Sequence, residues 1–327
     1  MSRVVTLGEA MVRLAPPNFK RIEQADTFDV ELGGSELNTG VGLARLGHSV
    51  SWVSRFPLSP LGRLLANRVR EAGVGVEDVL WSESDRMGVY FLEFGAAPRA
   101  SNILYDRADS AMSRIAPGMV DWSKAFAGAD WFHVTGITPA ISPTSREAVR
   151  EALQAAKRLG VTVSLEVNFR SKLWTFEQAG QWLKESLPLA DVLVTNPDEI
   201  EQFFGIDADS LPDAAEELVR QFPLQALAIT LRETPSVWKN SFTAVGYSRG
   251  KFHETRKFEV EIVDRLGSGD AFDAGLIHGL LKNDLQLGLD YGVAMAALKH
   301  TIPGDLPWVT EDEVKSLLAS GSLRISR

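Results

Sequence analysis

Apolar stretches of strand length alternate with segments of helical periodicity along most of the chain, and this alternation limits the possible folds most strongly. Strands separated by helices of about 10–15 residues indicate βαβ units, which form a mainly parallel sheet with helices on both faces. The predicted fold class is therefore α/β with three layers. The predicted strands are residues 3–7, 49–54, 130–135, 161–167, 191–195 and 226–231. The predicted helices are residues 35–46, 59–72, 142–160, 178–187, 271–281 and 285–300.

Two segments, residues 11–33 and about 84–107, interrupt this alternation with a period-2 pattern typical of strands. The second contains a predicted hairpin around residues 96–98. Antiparallel pieces inside an α/β chain predict a small β lid over a cleft, where a lid excludes water from a reaction. The alternative is a decorated edge of the main sheet. Because the sequence contains no linker or internal repeat, we expect a single domain over residues 1–327.

The chain has a net charge of −9 and contains no cysteine. The negative charge argues against a nucleic acid or an anionic membrane as a partner. The absence of cysteine excludes disulfides, thiolate metal sites and cysteine nucleophiles, and it fits a reducing cytoplasm. No uncharged apolar run approaches about 18 residues, so we expect no membrane span. These observations together predict a cytoplasmic protein.

A glycine-rich tetrapeptide, Gly267-Ser268-Gly269-Asp270, stands directly before a predicted helix. Two glycines one residue apart let the backbone turn tightly and bring its amides close to a ligand. Several amides at a helix N-terminus form an anion site. Asp270 stands at the start of the helix, where the helix dipole stabilises its carboxylate. The alternative interpretation of Asp270 is a simple helix cap.

Further candidates stand at the first helix and on the predicted lid. The glycine pair Gly33-Gly34 precedes the first predicted helix, and Asn38 lies one turn into it, able to face the cleft. A turn followed by a helix cap explains the same residues structurally. Tyr90, Tyr105 and Arg107 fall on the predicted lid strands. Tyrosines are common in sheets, whereas an arginine in the cover of a cleft favours a binding role.

Polar side chains also follow two predicted strands, at the end of the sheet where open α/β proteins bind ligands. Asn168 and Arg170 follow one strand, and Asn196 and Glu199 follow the next. Arg170 is suited to a carboxylate or phosphate, and a surface salt bridge is the alternative. Asn196 precedes a proline, which suits a helix cap, and Glu199 would then complete a capping box. The two residues also suit Mg²⁺ held through water.

Together these motifs resemble the ribokinase-like sugar kinase family over essentially the whole chain. Four signatures of the family occur here in the family's order: Gly-Gly…Asn with Leu-Ala-Arg-Leu-Gly, Asp-x-Asn-x-Arg, Asn-x-x-Glu and Asp-Thr-x-Gly-Ala-Gly-Asp. They are Gly33, Gly34, Asn38 and residues 43–47; Glu166, Asn168 and Arg170; Asn196 and Glu199; and residues 264–270. Two of them occur with departures, because Glu166 replaces Asp in the second, and Arg265, Leu266 and Ser268 replace the common Thr, Thr and Ala in the last. The resemblance implies a ribokinase-like three-layer fold with a small β lid, and a kinase that uses ATP and Mg²⁺.

Within the family, the pattern is most similar to the 2-keto-3-deoxygluconate kinases, which carry Tyr-x-Arg and Pro-Gly-Asp motifs. These are Tyr105-Asp106-Arg107 and Pro303-Gly304-Asp305 in this chain. A sugar acid needs cationic partners for its carboxylate, and Arg107 and Arg170 are the candidates. The similarity implies phosphorylation of 2-keto-3-deoxygluconate to 2-keto-3-deoxy-6-phosphogluconate. There are two alternatives. One is a neutral-sugar kinase of the fructokinase or ribokinase type, and the other is a non-catalytic sugar-binding or regulatory protein on this fold.

The same resemblance implies a role for each candidate residue and a homodimer through the lid. Asp270 would be the general base, beside an anion hole formed by Gly267, Ser268 and Gly269. The residues implied to bind the sugar acid are Gly33, Gly34, Asn38, Tyr90, Tyr105, Arg107, Arg170, Asp270 and Asp305. The residues implied to bind ATP are Asn168, Arg170, Asn196, Thr230, Arg232, Gly267, Ser268 and Gly269. Asn196 and Glu199 would position Mg²⁺ through water.

Overall fold

A computed structural model describes residues 1–208, 210–236 and 238–320 of the chain. The strands are β1 (Arg3–Leu7), β2 (Met11–Ala15), β3 (Asp29–Gly33), β4 (Ser49–Pro57), β5 (Val74–Gly75), β6 (Val79–Ser82), β7 (Val89–Glu93), β8 (Asn102–Asp106), β9 (Trp131–Thr135), β10 (Thr162–Glu166), β11 (Val192–Thr195), β12 (Ala226–Ser236), β13 (Lys239–Ser248), β14 (Lys251–Glu254) and β15 (Phe258–Glu261). The α-helices are α1 (Ser35–Arg45), α2 (Pro60–Glu71), α3 (Trp122–Ala125), α4 (Ile137–Ala140), α5 (Pro143–Leu159), α6 (Phe176–Ser186), α7 (Pro197–Phe204), α8 (Leu211–Gln221), α9 (Ser268–Leu280), α10 (Leu285–Lys299) and α11 (Glu311–Ser320).

The central sheet has the strand order β14-β13-β12-β11-β10-β9-β1-β4-β5, with β6 beside β4 and β15 beside β13. All strand pairs from β5 to β12 are parallel, and only the pairs that involve β13 are antiparallel. The strands are apolar on both faces, as expected for a parallel sheet covered by helices. In β1, for example, Val4 packs in the core with α1, α9 and α10, and Val5 packs in the core with α5 and α6. The predicted three-layer α/β arrangement is confirmed.

The two period-2 segments form a separate four-stranded sheet in the order β3-β2-β7-β8, which we call the small sheet. The hairpin predicted around residues 96–98 is confirmed, because β7 and β8 pair antiparallel on either side of it. Arg13, Tyr90 and Tyr105 occupy one register row and therefore share one face of the small sheet. Leu14, Phe91 and Leu104 form the next row on the opposite face. We call these the polar and the apolar face after their central rows, although Leu92 and Ile103 lie on the former and Asn102 and Asp106 on the latter.

The prediction for the glycine-rich tetrapeptide was wrong about where the helix begins. Helix α9 begins at Ser268, three residues before the predicted start, with Gly267 as its N-cap. Gly267 has a φ of 78°, and a Cβ at this position would lie 1.9 Å from the carbonyl oxygen of Asp305. A left-handed residue of this kind sets the direction from which the chain enters the helix. Ser268, Gly269 and Asp270 are therefore the first turn of α9.

Other elements were not predicted, because their signals are weak or nonlocal. Strand β12 continues beyond residue 231 to Ser236 by pairing with β13, and β13–β15 are antiparallel additions at the edge of the sheet. Helix α8 does carry a local signal, since the side chain of Ser210 accepts a hydrogen bond from the Asp213 amide as an N-cap. None of the helices among the described residues is both long and apolar enough to cross a membrane.

Candidate active site

A cavity of about 730 Å³ lies at the carboxyl ends of β10, β11 and β12, against the N-terminus of α9. This is the end of an open parallel sheet where ligands bind. The cavity brings together ten of the residues predicted from the sequence to form the site. They are Asn168, Arg170, Asn196, Glu199, Thr230, Arg232, Gly267, Ser268, Gly269 and Asp270.

Asp270 is held in place by helix α1 and does not act as a helix cap. Ser35 Oγ donates to Asp270 Oδ1 at 2.5 Å, and Asn38 Nδ2 donates to Asp270 Oδ2 at 2.7 Å. Burial raises the pKa of Asp270, whereas these two hydrogen bonds and the charges of Arg170 and Lys299 oppose that rise. The cap interpretation was therefore wrong, and Ser35 is a contact that the sequence analysis missed.

The N-terminus of α9 supplies backbone donors beside this carboxylate. The first amides of a helix have no partner within the helix and carry the positive end of its dipole. Here they belong to Ser268, Gly269 and Asp270, all of which line the cavity. This geometry provides an anion site next to a fixed carboxylate.

Three arginines line the same cavity: Arg170, Arg232 and Arg265. Arg170 Nη1 donates to the carbonyl oxygen of Phe169 at 3.1 Å, which leaves its other donors available. The guanidinium of Arg232 lies 5.3 Å from the centre of the Phe242 ring. These three guanidinium groups stand among acidic residues of the same lining, and they offer charged hydrogen-bond donors that suit a polyphosphate.

Two acids in the lining of the cavity, Glu166 and Asp273, limit its negative charge. Burial, with Asp270 as a further cause, raises the pKa of Glu166 to about 8. Burial and the neighbouring Glu166 raise the pKa of Asp273 well above its ordinary value. Asp273 is fully buried, and within the described part of the chain neither of its oxygens has a hydrogen-bond donor. At neutral pH this pair therefore keeps a proton next to the anion site.

Asn196 and Glu199 also line the cavity. Asn196 Oδ1 accepts a hydrogen bond from the Glu199 amide at 3.0 Å, so Asn196 is the N-cap of α7. The predicted capping box was wrong, because the Glu199 carboxylate accepts from the Phe169 amide at 3.1 Å and from Thr195 Oγ1 at 3.0 Å. The described residues contain no cluster of three or more acids or histidines suited to a metal ion. The side chains of Asn196 and Glu199 therefore suit a Mg²⁺ ion that keeps its water ligands better than a Mg²⁺ ion that they bind directly.

The predicted sugar-binding residues meet under the small sheet. Tyr90 donates its hydroxyl to Asp305 Oδ2 at 2.5 Å. A Cβ at Gly33 would lie 2.3 Å from both Asp305 Oδ2 and the Tyr90 hydroxyl, so only glycine fits there. A Cβ at Gly34 would lie 2.0 Å from the carbonyl oxygen of Glu9. Burial raises the pKa of Asp305 to about 6, although Arg13 and Tyr90 oppose this rise.

Arg13 was missed by the sequence analysis and holds this end of the site together. Its Nη1 donates to Asp305 Oδ1 and its Nη2 donates to Asp264 Oδ2, both at 2.6 Å. All three side chains are less than a tenth exposed. A signal was present in the sequence, because Arg13 stands inside the apolar run of β2.

Arg107 lies nearby, but its charge already has a partner. It forms an ion pair with Glu9, which also accepts a hydrogen bond from Ser110. Glu9 was not predicted, although it closely follows the carboxyl end of β1. Tyr105 lies under the Arg107 guanidinium, 5.8 Å from ring centre to Arg107 Cζ, and remains 41% exposed.

A second cavity of about 480 Å³ lies under the small sheet and shares Arg265 and Leu266 with the first. The predicted residues outside the first cavity connect to it through direct contacts. Asn38 bonds to Asp270, and Asp305 contacts Gly267. The predicted site is thus one connected region that extends from the β11–β12 end of the central sheet to the small sheet.

A fixed carboxylate beside helix-terminal amides, in a cavity lined with arginines, defines a site suited to phosphoryl transfer. The profile of the pfkB family of carbohydrate kinases matches residues 1–307, and the chain belongs to this family. It is therefore a carbohydrate kinase with a ribokinase-like fold, and the family predicted from the sequence is confirmed.

Relatives match over almost the whole chain. A 2-dehydro-3-deoxygalactonokinase from Haloferax volcanii is 38% identical, over 100% of this chain and 99% of its own length. The crystal structure of 2-dehydro-3-deoxygluconokinase from Thermotoga maritima has a TM-score of 0.94 and 39% identity, over 97% of this chain and 98% of that one. A similar fold occurs in an uncharacterized sugar kinase from Pyrococcus horikoshii, whose structure is in complex with ATP. It has a TM-score of 0.78 and 22% identity, over 95% of this chain and 99% of that one.

The Arg13 bridge leads to a prediction about stability. We expect Arg13→Met to lower the free energy of unfolding by about 3–5 kcal/mol, because it leaves two buried carboxylates without their cation. Chemical denaturation measures this change. The control is Arg68→Met, since Arg68 is 57% exposed in its pair with Glu71; it should change stability by less than about 1 kcal/mol. Equal effects of the two substitutions would contradict the prediction.

Proposed function

We propose that the chain is an ATP-dependent kinase of a sugar acid, converting 2-keto-3-deoxygluconate to 2-keto-3-deoxy-6-phosphogluconate. The observation that carries this proposal is the Asp270 carboxylate, fixed by Ser35 and Asn38 beside the N-terminal amides of α9. The relatives support the substrate class, because they are named as kinases of 2-dehydro-3-deoxy sugar acids, and 2-dehydro is a synonym of 2-keto.

In the proposed reaction, Asp270 accepts the proton of the substrate hydroxyl. The hydroxyl oxygen forms a bond to the γ-phosphorus of ATP as the bond between that phosphorus and the oxygen of the leaving ADP breaks. The amides of Gly267, Ser268 and Gly269 stabilise the charge on the transferred group. Asn168, Thr230 and the guanidinium groups that line the cavity hold the nucleotide.

Mg²⁺, when bound with ATP, neutralises part of the polyphosphate charge. We propose that Asn196 and Glu199 hold it through water, because both side chains already make hydrogen bonds within the protein. Their contribution would be to orient that water from the lining of the cavity.

For the sugar acid, we propose that Arg170 and Arg107 bind the carboxylate and that Gly33, Gly34, Asn38, Tyr90, Tyr105 and Asp305 contact the rest of the substrate. Arg170 is the better supported cation, because the described residues give its guanidinium one backbone contact and no ion pair. The small sheet would act as the lid within a single domain. This is consistent with the position of Tyr90 and Tyr105 on its polar face.

The Arg107–Glu9 pair favours a second candidate, a kinase of neutral sugars. An arginine whose charge is neutralised by an internal carboxylate does not need a carboxylate on the substrate. The two candidates differ in the class of acceptor, and a panel of acceptors separates them.

The proposal is tested by measuring ADP release with Mg²⁺, ATP and a panel of sugar acids and neutral hexoses, including the gluconate and galactonate series. We expect the highest kcat/KM for 2-keto-3-deoxygluconate. Asp270→Asn should lower kcat about 10²- to 10⁴-fold, because the general base is lost. The matched control Asp312→Asn, on the exposed start of α11, should retain turnover. Near-normal turnover of Asp270→Asn would refute the assignment of the base.

The same assay distinguishes the two acceptor classes through Arg107→Ala. If Arg107 binds the carboxylate, this substitution raises KM for the sugar acid about 10- to 100-fold, the effect of losing a charged hydrogen bond. KM for ATP should stay unchanged. A neutral hexose with the highest kcat/KM, together with an unaffected KM in Arg107→Ala, would establish the second candidate instead.

The hydrogen bonds to Asp270 predict a dependence on pH. The base acts when it is ionised, so kcat/KM should rise with pH through the pKa of Asp270, which burial raises above its ordinary value. Ser35→Ala removes a hydrogen bond that lowers this pKa, and the acid limb of the profile should move to higher pH. Ser248→Ala, whose hydroxyl bonds to Gln225 away from the site, should leave the limb in place. An acid limb that does not move in Ser35→Ala would contradict the role of Asp270.

We also propose a homodimer through the apolar face of the small sheet. Val30, Leu14, Phe91 and Leu104 form one continuous row across the four strands, and Val30 and Leu104 are 48% and 55% exposed. A row of this kind is suited to a symmetric interface. Analytical ultracentrifugation should detect a dimer that Leu104→Lys weakens and that Leu61→Lys, at an exposed site on α2, does not. A monomeric wild-type protein would refute the proposal.

A further inference from the structure

Lys299 is a buried charged side chain to which the proposed reaction gives no role. Lys299 is the last residue of α10, and it is 0% exposed. Lysine is almost never fully buried unless its ammonium is paired. Its Nζ donates to the carbonyl oxygen of Ile302 at 2.9 Å and lies 3.5 Å from that of Asp264. This ammonium therefore bonds to the backbone of two different segments.

The two segments lead to opposite sides of the site. Asp264 begins the segment that ends in the anion site at the start of α9, and Ile302 belongs to the segment that leads to Asp305. Their contact is reinforced by the Asp264 carboxylate, which accepts from the Gly304 amide at 3.0 Å and from the Leu266 amide at 3.1 Å. Lys299 thus lies at the junction that sets the distance between the anion site and Asp305.

Several charged or titratable groups surround this ammonium. The carboxylates of Asp264, Asp305 and Asp270 attract it, Arg13 repels it, and His300 is its neighbour in the chain. Burial lowers the pKa of Lys299 from its ordinary value, while Asp264 and Asp305 oppose that change. In the other direction, the positive charge of Lys299 helps to keep Asp270 ionised. The ammonium therefore affects the site in two ways: its hydrogen bonds hold two backbone segments together, and its charge favours the ionised form of Asp270.

We propose that Lys299 is a positioning residue of the phosphoryl-transfer site, whose ammonium fastens the segment that carries the anion site to the segment that carries Asp305. This inference rests on the proposed kinase reaction. Removal of the ammonium lets Gly267–Asp270 move relative to Asp305, whose carbonyl oxygen lies in contact with Gly267. Displacements of about 1 Å from a change outside the chemistry lower rates about 10²-fold.

Kinetics of three variants test the proposal. Lys299→Met should lower kcat about 10- to 100-fold with little change in KM for the acceptor, because alignment is lost and binding contacts remain. Lys299→Arg, which keeps a buried cation, should retain more of kcat than Lys299→Met. The control is Lys282→Met, because Lys282 is exposed and contacts His278; its kcat should match that of the wild type.

Chemical rescue separates a positioning role from simple filling of the core. In Lys299→Ala, methylammonium chloride should raise kcat several-fold, because a primary ammonium can donate to the freed carbonyls. Tetramethylammonium chloride at equal ionic strength has the same charge but no N–H donor, and it should not raise kcat. If the two salts have the same effect, or if folded Lys299→Met turns over like the wild type, the proposal is wrong.

A pH profile tests the proposal if Lys299→Ala and Lys299→Met do not fold. The wild type should lose kcat as pH rises through the pKa of Lys299, which lies below its ordinary value. Lys299→Arg should lack this alkaline limb, because its guanidinium stays charged. An identical alkaline limb in both proteins would overturn the proposal. The proposed function fails separately, by absence of ADP release from the wild type with every sugar acid.

Discussion

The buried bridge of Arg13 is the interaction on which the rest of the site depends. It joins β2 of the small sheet to Asp264 and Asp305, which lie on the two segments that approach α9. Two carboxylates buried this close together repel each other unless a cation lies between them. Arg13 therefore does more than connect the small sheet to the rest of the protein. Its positive charge also allows the segments that carry Asp264 and Asp305 to come together. The anion site and the polar face of the small sheet are held together by the same guanidinium.

The ionisation of the acidic residues in the site depends on how deeply each is buried and on its hydrogen bonds. Glu166 and Asp273, two acids of the cavity lining, have pKa values that burial raises. Arginines line the cavity itself, and Asp270 receives two hydrogen bonds that favour its ionised form. A chain with a net charge of −9 therefore offers a polyphosphate amides and guanidinium groups at this site, next to the Asp270 carboxylate that α1 fixes beside the helix terminus.

Sequence patterns predicted the parts of the protein that depend on neighbours in the chain. Local signals exist for β1, β4, β9, β10, β11 and the start of β12, for the hairpin of the small sheet and for the first turn of α7 after Asn196, and the structure contains these elements. Glu199 shows the limit of such signals. Its spacing from Asn196 suits a capping box, but tertiary packing brings the Phe169 amide and Thr195 hydroxyl within its reach, and these donors take its carboxylate.

The sequence by itself determined the α/β class, the family and the position of the acid beside a glycine-rich helix start, because periodicity and short motifs are local properties. Only the tertiary structure decided that Asp270 is held by α1, that Arg107 pairs with Glu9, and that Arg13 and Lys299 are buried cations between distant segments. Those partners are separated by up to 292 residues along the chain. No local pattern specifies such a pairing, since it depends on how the two sheets and the segments before α9 pack together.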